Sequence, residues 1–164
     1  MQACCVAGGA LYKGIGKFLG MDIIKTKGAN ALPTTNLREK FSAVKKVLEK
    51  YDFVFCHIKA ADNLAEDGDF RGKKKFIEKI DKNLTPILKI KNTLIVITAD
   101  HSTCSILKRH CLEPIPVLIY SKDMRAKEEK NEVGRFSEKA CKEGKLGKIK
   151  QIDLLRLFRK IARQ

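Results

Sequence analysis

The chain has 164 residues and a formal charge of +15, from 34 Lys and Arg against 19 Asp and Glu. The length suits one domain, and a hydrophobic fraction of 44% is enough for a core, which excludes wholesale disorder. No apolar run approaches the roughly 18–20 residues of a membrane helix, and no basic stretch precedes an apolar one at the N-terminus, so a soluble, cytoplasmic protein without a signal peptide is expected.

In chain order, residues 8–19 have helical spacing, weakened by Gly14 and Gly16, and residues 21–26 form a short strand. A turn-rich stretch, 27–35, leads to Asn36, which can cap a helix with Glu39 three residues on as its capping-box partner. Leu37, Phe41, Val44, Leu48 and Tyr51 then repeat at helical spacing and predict an amphipathic helix over 36–51. Residues 52–58 contain FVFCHI, apolar on both faces, as in a central strand of a covered parallel sheet.

A polar, Asp-rich loop is expected over 59–69 and a helix over 70–90, which Pro86 should interrupt near its end. Residues 92–99 are a second buried strand, and a loop over 100–113 leads to a third strand, 115–121. A charged linker (122–135), a short helix (136–144) and a closing amphipathic helix (151–164) finish the chain. Ile152, Leu155, Phe158 and Ile161 are expected to face inward from that last helix. The strand–helix–strand order predicts an α/β three-layer sandwich with a largely parallel sheet.

The six cysteines are scattered without a CxxC, which suits free thiols in a reducing compartment rather than a disulfide framework. The last 44 residues carry 14 basic and 7 acidic side chains, so the positive charge is dispersed along the chain and not held in one tail. Such an excess steers anions, whether nucleic acid or a phosphorylated metabolite. No helix-turn-helix, finger or RNP pattern supports the first, so nucleic acid is the weaker reading.

In an open α/β sheet, functional groups collect in loops at the carboxyl ends of strands. Two such loops are rich in metal-ligand types. The first, KAADNLAEDGDF, holds Asp62, Glu66, Asp67 and Asp69; the second, DHSTCSILKRHC, holds Asp100, His101 and His110. Asp62 and Glu66 are four apart, so one helical turn would present both to one ion. Carboxylate with imidazole suits Mn²⁺, Zn²⁺ or Fe²⁺ better than Ca²⁺. The plainer readings are a solvated acidic loop and an Asp that caps the following helix. His101, Cys104, His110 and Cys111 lack standard zinc-finger spacing. His57, inside an apolar strand, reads as a core histidine, and RGKKK at 71–75 as a solvated helix face. The closing helix could lie on a membrane, but docking within the protein is the expected reading.

These loops, in this order, resemble the archaeal-type cofactor-independent phosphoglycerate mutases of the alkaline phosphatase superfamily. The matching stretches are AGGALYKGIGKFLGMDII, DFVFCHIKAADNLAEDGDFRGKKKFIEKID, TADHSTCSILKRHCLEPIPVLIY and FSEKACKEGKLGKIK, which together span nearly the whole chain. The resemblance implies an alkaline phosphatase-like fold and a two-metal phosphoryl transfer between the glycerate positions of phosphoglycerate, a step of glycolysis. It implies that Asp100 and His101 bind one divalent ion (Mn, Zn, Co or Mg), that Asp62 and His110 bind the second, and that Lys17 lies near the substrate phosphate. The alternative for Lys17 is an ordinary helix-surface lysine.

Two departures stand out. The family has His where this chain has Glu66, which exchanges a neutral ligand for an anionic one. The family's nucleophilic serine lies in an N-terminal half with no counterpart here, and Ser102 and Thr103 are not at its position. Residues 1–164 therefore read as the C-terminal part of a truncated phosphatase- and mutase-type metal-binding domain. One piece of a split enzyme, a degenerate product serving as a binding or structural subunit, and a fragment of a longer chain all remain open. Dependence on a separate N-terminal half, or self-association, is expected, because a half-sheet leaves an unpaired edge.

Overall fold

Cys4, Cys5 and Val6 have no solvent-exposed surface, and around them the first strand forms, Ala3–Val6 (β1). In the computed structural model, which describes residues 1–122 and 133–162, β1 is the middle strand of a three-stranded sheet. Asp22–Ile23 (β2) and Phe53–Cys56 (β3) flank it, and both pairings are parallel, with Cys4 opposite Asp22 and Val6 opposite Cys56. The sequence reading passed over β1 and gave the middle place to β3. Four residues at a chain terminus offer no period to detect, whereas β3 belongs to a longer apolar run; among the described residues β3 pairs with β1 alone, and its residues are half-buried.

The helices between the strands follow their apolar spacing. Ala10–Phe18 (α1) packs on β1 and β2, and Leu37–Val47 (α2) packs on β1 and β3. Asn36 caps α2 as expected, its side chain accepting from the Glu39 N–H at 3.1 Å. The reciprocal half of a capping box is not used, because the Asn36 N–H donates to the Gly28 carbonyl. Leu37, Phe41 and Val44 are buried, at about 1.5–3 kcal/mol each. Ala60–Glu66 (α3) and α2 both pack on Phe70–Leu88 (α4), and Pro86 lies in the last turn of α4, near the expected break. The expected Asp-rich loop over 59–69 is thus mostly helix: Ala60, Ala61, Leu64 and Ala65 are good helix formers that outweigh the Asp content.

Two compact units result. One comprises Met1–Lys89 with Thr103–His110, and the other Ile90–Ser102 with Cys111–Gln164. In the second, Ile95–Ile97 (β4) pairs with Leu118–Tyr120 (β7), and this pairing is antiparallel, unlike the sheet of the first unit. Between them in sequence, Ser102–Cys104 (β5) and Arg109–Cys111 (β6) form a two-stranded hairpin where a loop was expected. The short helix Glu138–Cys141 (α5) is capped by Ser137. A 3-10 turn, Gln151–Asp153, precedes Leu154–Ile161 (α6). Leu154 is buried and Leu157, Phe158 and Ile161 are half-buried, whereas Ile152 and Leu155, expected inside, are 84% and 62% exposed. The expected linker falls largely outside the described residues.

All six cysteines are free thiols. Burial pushes the Cys4 thiol up from its ordinary 9.0 to about 11, helped by Cys5 and Asp22, and burial pushes Cys56 to about 11 against the opposing pull of Lys40. A raised thiol pKa contributes stability that is complete below pH 9.0 and is lost as pH rises through about 11. Lys40, shifted downward by burial, acts in the opposite sense, so the thiol contribution is read as a difference. Between about pH 8 and pH 11 a Cys4→Ala variant should lose less of its urea stability than the parent, by on the order of 2 kcal/mol.

Candidate metal centre

Helix α3 places Asp62 in its first turn and Glu66 at its end, one turn apart and on one face. The hairpin brings His110 to them. Its Nε2 lies 3.7 Å from Asp62 Oδ1 and 3.6 Å from Glu66 Oε1. Asp62 is the shielded member, its side chain 18% exposed, against 46% for Glu66 and 56% for His110. Thr103, buried on β5, donates its hydroxyl to Asp62 Oδ1 at 2.5 Å. Lys59 donates to the other oxygen, Oδ2, at 2.6 Å.

Neighbouring elements hold this arrangement in register. The Lys73 ammonium of α4 donates to the Thr103 carbonyl at 2.7 Å, fixing the hairpin strand. Gly68 turns the chain between α3 and α4 with φ +79°, and a Cβ there would stand 2.5 Å from Lys108 Cε, so the hairpin tip sits directly on that turn. Asp69 caps α4, accepting from the Gly72 N–H at 2.8 Å. The plainer reading of the acidic stretch therefore holds for Asp69, while Asp62 and Glu66 face His110. Asn63 of α3 donates to the Ala31 carbonyl at 3.2 Å, tying the helix to the loop before α2.

The second unit holds Asp100 and His101 just beyond β4. Asp100 Oδ2 lies 3.7 Å from His101 Nε2, and Asp100 Oδ1 accepts from the His101 N–H at 3.2 Å. Gln151 donates to the Asp100 carbonyl, and the Ser102 hydroxyl donates to the Glu113 carbonyl at 2.9 Å. Lys17 lies exposed in the last turn of α1, and no hydrogen bond or ion pair joins its ammonium to Asp62, Glu66 or His110. His57 is half-buried and not in the core, its ring stacked 3.3 Å from Tyr12.

The donor set of the first unit fits a divalent ion. Carboxylate and imidazole donors bound at about 2.0–2.2 Å around a tetrahedral ion stand roughly 3.4 Å from one another. The spacings about His110 Nε2 approach that value, and the ligand atoms of Asp62 and His110 are near enough to share one ion. Lys59 was not singled out from the sequence, Thr103 entered it only as a residue off the nucleophile's position, and Lys73, read there within RGKKK as part of a solvated helix face, instead reaches the Thr103 carbonyl.

The chain matches the family profile described as the Metalloenzyme superfamily over residues 1–160. It belongs to that superfamily. Members resembling it include 2,3-bisphosphoglycerate-independent phosphoglycerate mutase 1 of Archaeoglobus fulgidus, 43% identical over 159 residues, which cover 96% of this chain and 38% of the relative. The 2,3-bisphosphoglycerate-independent phosphoglycerate mutase of Pyrobaculum islandicum is 37% identical over 94% of this chain and 37% of its own length. The chain thus spans between a third and two-fifths of the length of these curated relatives. Among solved structures, the PH0037 protein from Pyrococcus horikoshii superposes with a TM-score of 0.90 at 30% identity, over 99% of this chain and 49% of that one. The cofactor-independent phosphoglycerate mutase from Thermoplasma acidophilum shares the fold, with a TM-score of 0.74 at 24% identity over 99% of this chain and 36% of that one. The alkaline phosphatase-like α/β fold and the archaeal-type mutase resemblance are both borne out. No helix among the described residues is long and apolar enough to cross a membrane.

Proposed function

We propose that this chain is the metal-holding portion of a cytoplasmic phosphoglycerate mutase-like enzyme of glycolysis. The observation that carries the reading is the convergence of Asp62, Glu66 and His110 from a helix and a hairpin, with Asp62 fixed by Thr103. These three residues would hold one divalent ion, and Asp100 with His101 would hold a second. Bound ions of this kind supply Lewis-acid polarisation and charge neutralisation during phosphoryl transfer. The residues of the chain do the positioning: Thr103 orients the Asp62 carboxylate, Lys73 fixes Thr103, and the lysine-rich surface draws in a phosphorylated anion.

Catalysis in this reading requires a nucleophile from outside these 164 residues. The exposed apolar side chains of α1, Leu11, Ile15 and Phe18 at 69%, 45% and 90%, lie at helical spacing on one stripe and support a partner or a second copy covering it. Glu66 in place of the family histidine shifts the first ligand set toward oxygen and hence toward Mn²⁺ or Mg²⁺ over Zn²⁺.

The test is a Mn²⁺ titration of the purified chain, followed by an assay of 3- to 2-phosphoglycerate conversion with and without the N-terminal portion of the Archaeoglobus fulgidus relative. Mn²⁺ should bind, and Asp62→Asn should weaken it on the order of 100-fold, the upper limit for residues that merely support a ligand. Conversion should appear only in the mixture. Absence of metal binding by the parent chain would remove the basis of the proposal.

A further inference from the structure

We propose that Lys59 is a built-in counter-cation of this centre: its ammonium occupies Asp62 in the metal-free protein, must be displaced on metal binding, and thereby sets how much metal is needed to fill the site. The inference rests on the metal-holding reading of Asp62, Glu66 and His110.

The geometry is specific. Lys59 stands at the N-cap position of α3 but makes no side-chain capping bond; its ammonium instead turns to Asp62 Oδ2 at 2.6 Å. The other oxygen of the same carboxylate accepts from Thr103 and lies 3.7 Å from His110 Nε2. Both oxygens of Asp62 are therefore engaged by the chain's own side chains. The pair is also shielded, the two side chains being 33% and 18% exposed. A surface ion pair exchanges its partners at little cost, but a pair at this depth is less screened.

Charge balance explains why a cation belongs there. Asp62 and Glu66 put two carboxylates on one turn of a short helix, a repulsive arrangement that one ammonium relieves. A dication arriving at the same carboxylates meets the ammonium as a like charge beside it. The flexible stem of lysine lets the head group swing out to water without disturbing the backbone, which a planar, bidentate arginine would resist. Lys59 is then neither a ligand nor a catalytic residue. It holds the carboxylates together while the centre is empty and weakens the hold on the ion afterwards.

Lys59→Met keeps most of the stem and removes the charge. Calorimetric titration with Mn²⁺ at one pH should show the variant binding at least roughly tenfold more tightly than the parent, because the ion no longer displaces a cation from, or binds beside one at, a shielded carboxylate. In thermal melts without metal the variant should be the less stable chain, and added Mn²⁺ should raise its Tm by more than it raises that of the parent. A purely structural lysine predicts the opposite order of affinities. If the parent binds Mn²⁺ and Lys59→Met binds it equally or more weakly while retaining the parent's circular dichroism, the counter-cation role is overturned and the metal-holding reading stands. If neither chain binds Mn²⁺, both fall. Binding by the variant alone would overturn the metal-holding reading of the parent chain and uphold the lysine as the group that closes the site. Should Lys59→Met fail to fold, Lys59→Gln carries the same expectation.

Discussion

Replacing Lys40 with alanine should destabilise the chain by about 3–4 kcal/mol, while Lys40→Met should cost no more than about half of that. Lys40 lies on α2 and has no exposed surface. Its ammonium donates to the His57 carbonyl at 2.9 Å and to the Asn30 carbonyl at 3.5 Å, so it clamps the end of β3 to the loop before α2. Burial lowers its pKa from the ordinary 10.5, while the Cys56 thiol pulls it upward. Alanine removes the packed stem and both bonds, leaving a void and unsatisfied carbonyls. Methionine keeps the volume and also removes the cost of burying a charge, which offsets part of the lost bonding. Urea denaturation of the three chains checks this. Equal losses for the two variants would show that the ammonium, and not the stem, is what the fold needs. Because the native pKa is lowered, the parent should also gain stability relative to Lys40→Met as pH rises toward 10.5.

Lys40 also marks the limit of what could be read from sequence. Leu37, Phe41 and Val44 announce α2 by their spacing and Asn36 announces its start, because periodicity and capping are local properties. A lysine at a core position breaks the same pattern and reads as solvent-facing; only the tertiary fold brings the His57 and Asn30 carbonyls to it. The same division runs through the candidate centre. Asp62, Glu66 and His110 were legible as ligand types, since the chemistry of the side chain is written in the sequence, and a four-residue step brings two of them to one face. That Thr103 would occupy one oxygen of Asp62 depends on a hairpin whose strands are three residues each, too short to show an alternating pattern, whereas Lys59 reaches the other oxygen from one helical turn away. The closing helix shows a different failure. Phe158 and Ile161 were read correctly, but the reading stepped by three through Ile152 and Leu155, whereas α6 turns Leu154, Leu157, Phe158 and Ile161 inward at i, i+3, i+4 and i+7.

Gly8→Ala should be at least as damaging, at about 3 kcal/mol or more, and should loosen the candidate centre as well. Gly8 follows β1 at the carboxyl edge of the sheet, and a Cβ on it would stand 1.9 Å from the Asn30 carbonyl oxygen and 2.1 Å from its carbon. Those atoms are backbone, so no rotamer change relieves the overlap. The Asn30 segment has little freedom to retreat. The Asn30 N–H donates to Thr35 Oγ1, Thr35 is 2% exposed, and the Asn30 carbonyl is held by Lys40. Any displacement passes to Ala31, whose carbonyl accepts from Asn63, the residue next to Asp62 on α3. Gly14 supplies the control. It lies within α1 with nothing within 4 Å of an added Cβ, so Gly14→Ala should stabilise the chain by about 0.5–1 kcal/mol. Denaturation curves for both variants, each with a Mn²⁺ titration, separate the two effects. A Gly8→Ala chain as stable as the parent would mean that β1 and the Asn30 loop do not meet this closely in solution. A destabilised chain with unaltered Mn²⁺ affinity would show that the loop does not govern the placing of Asp62.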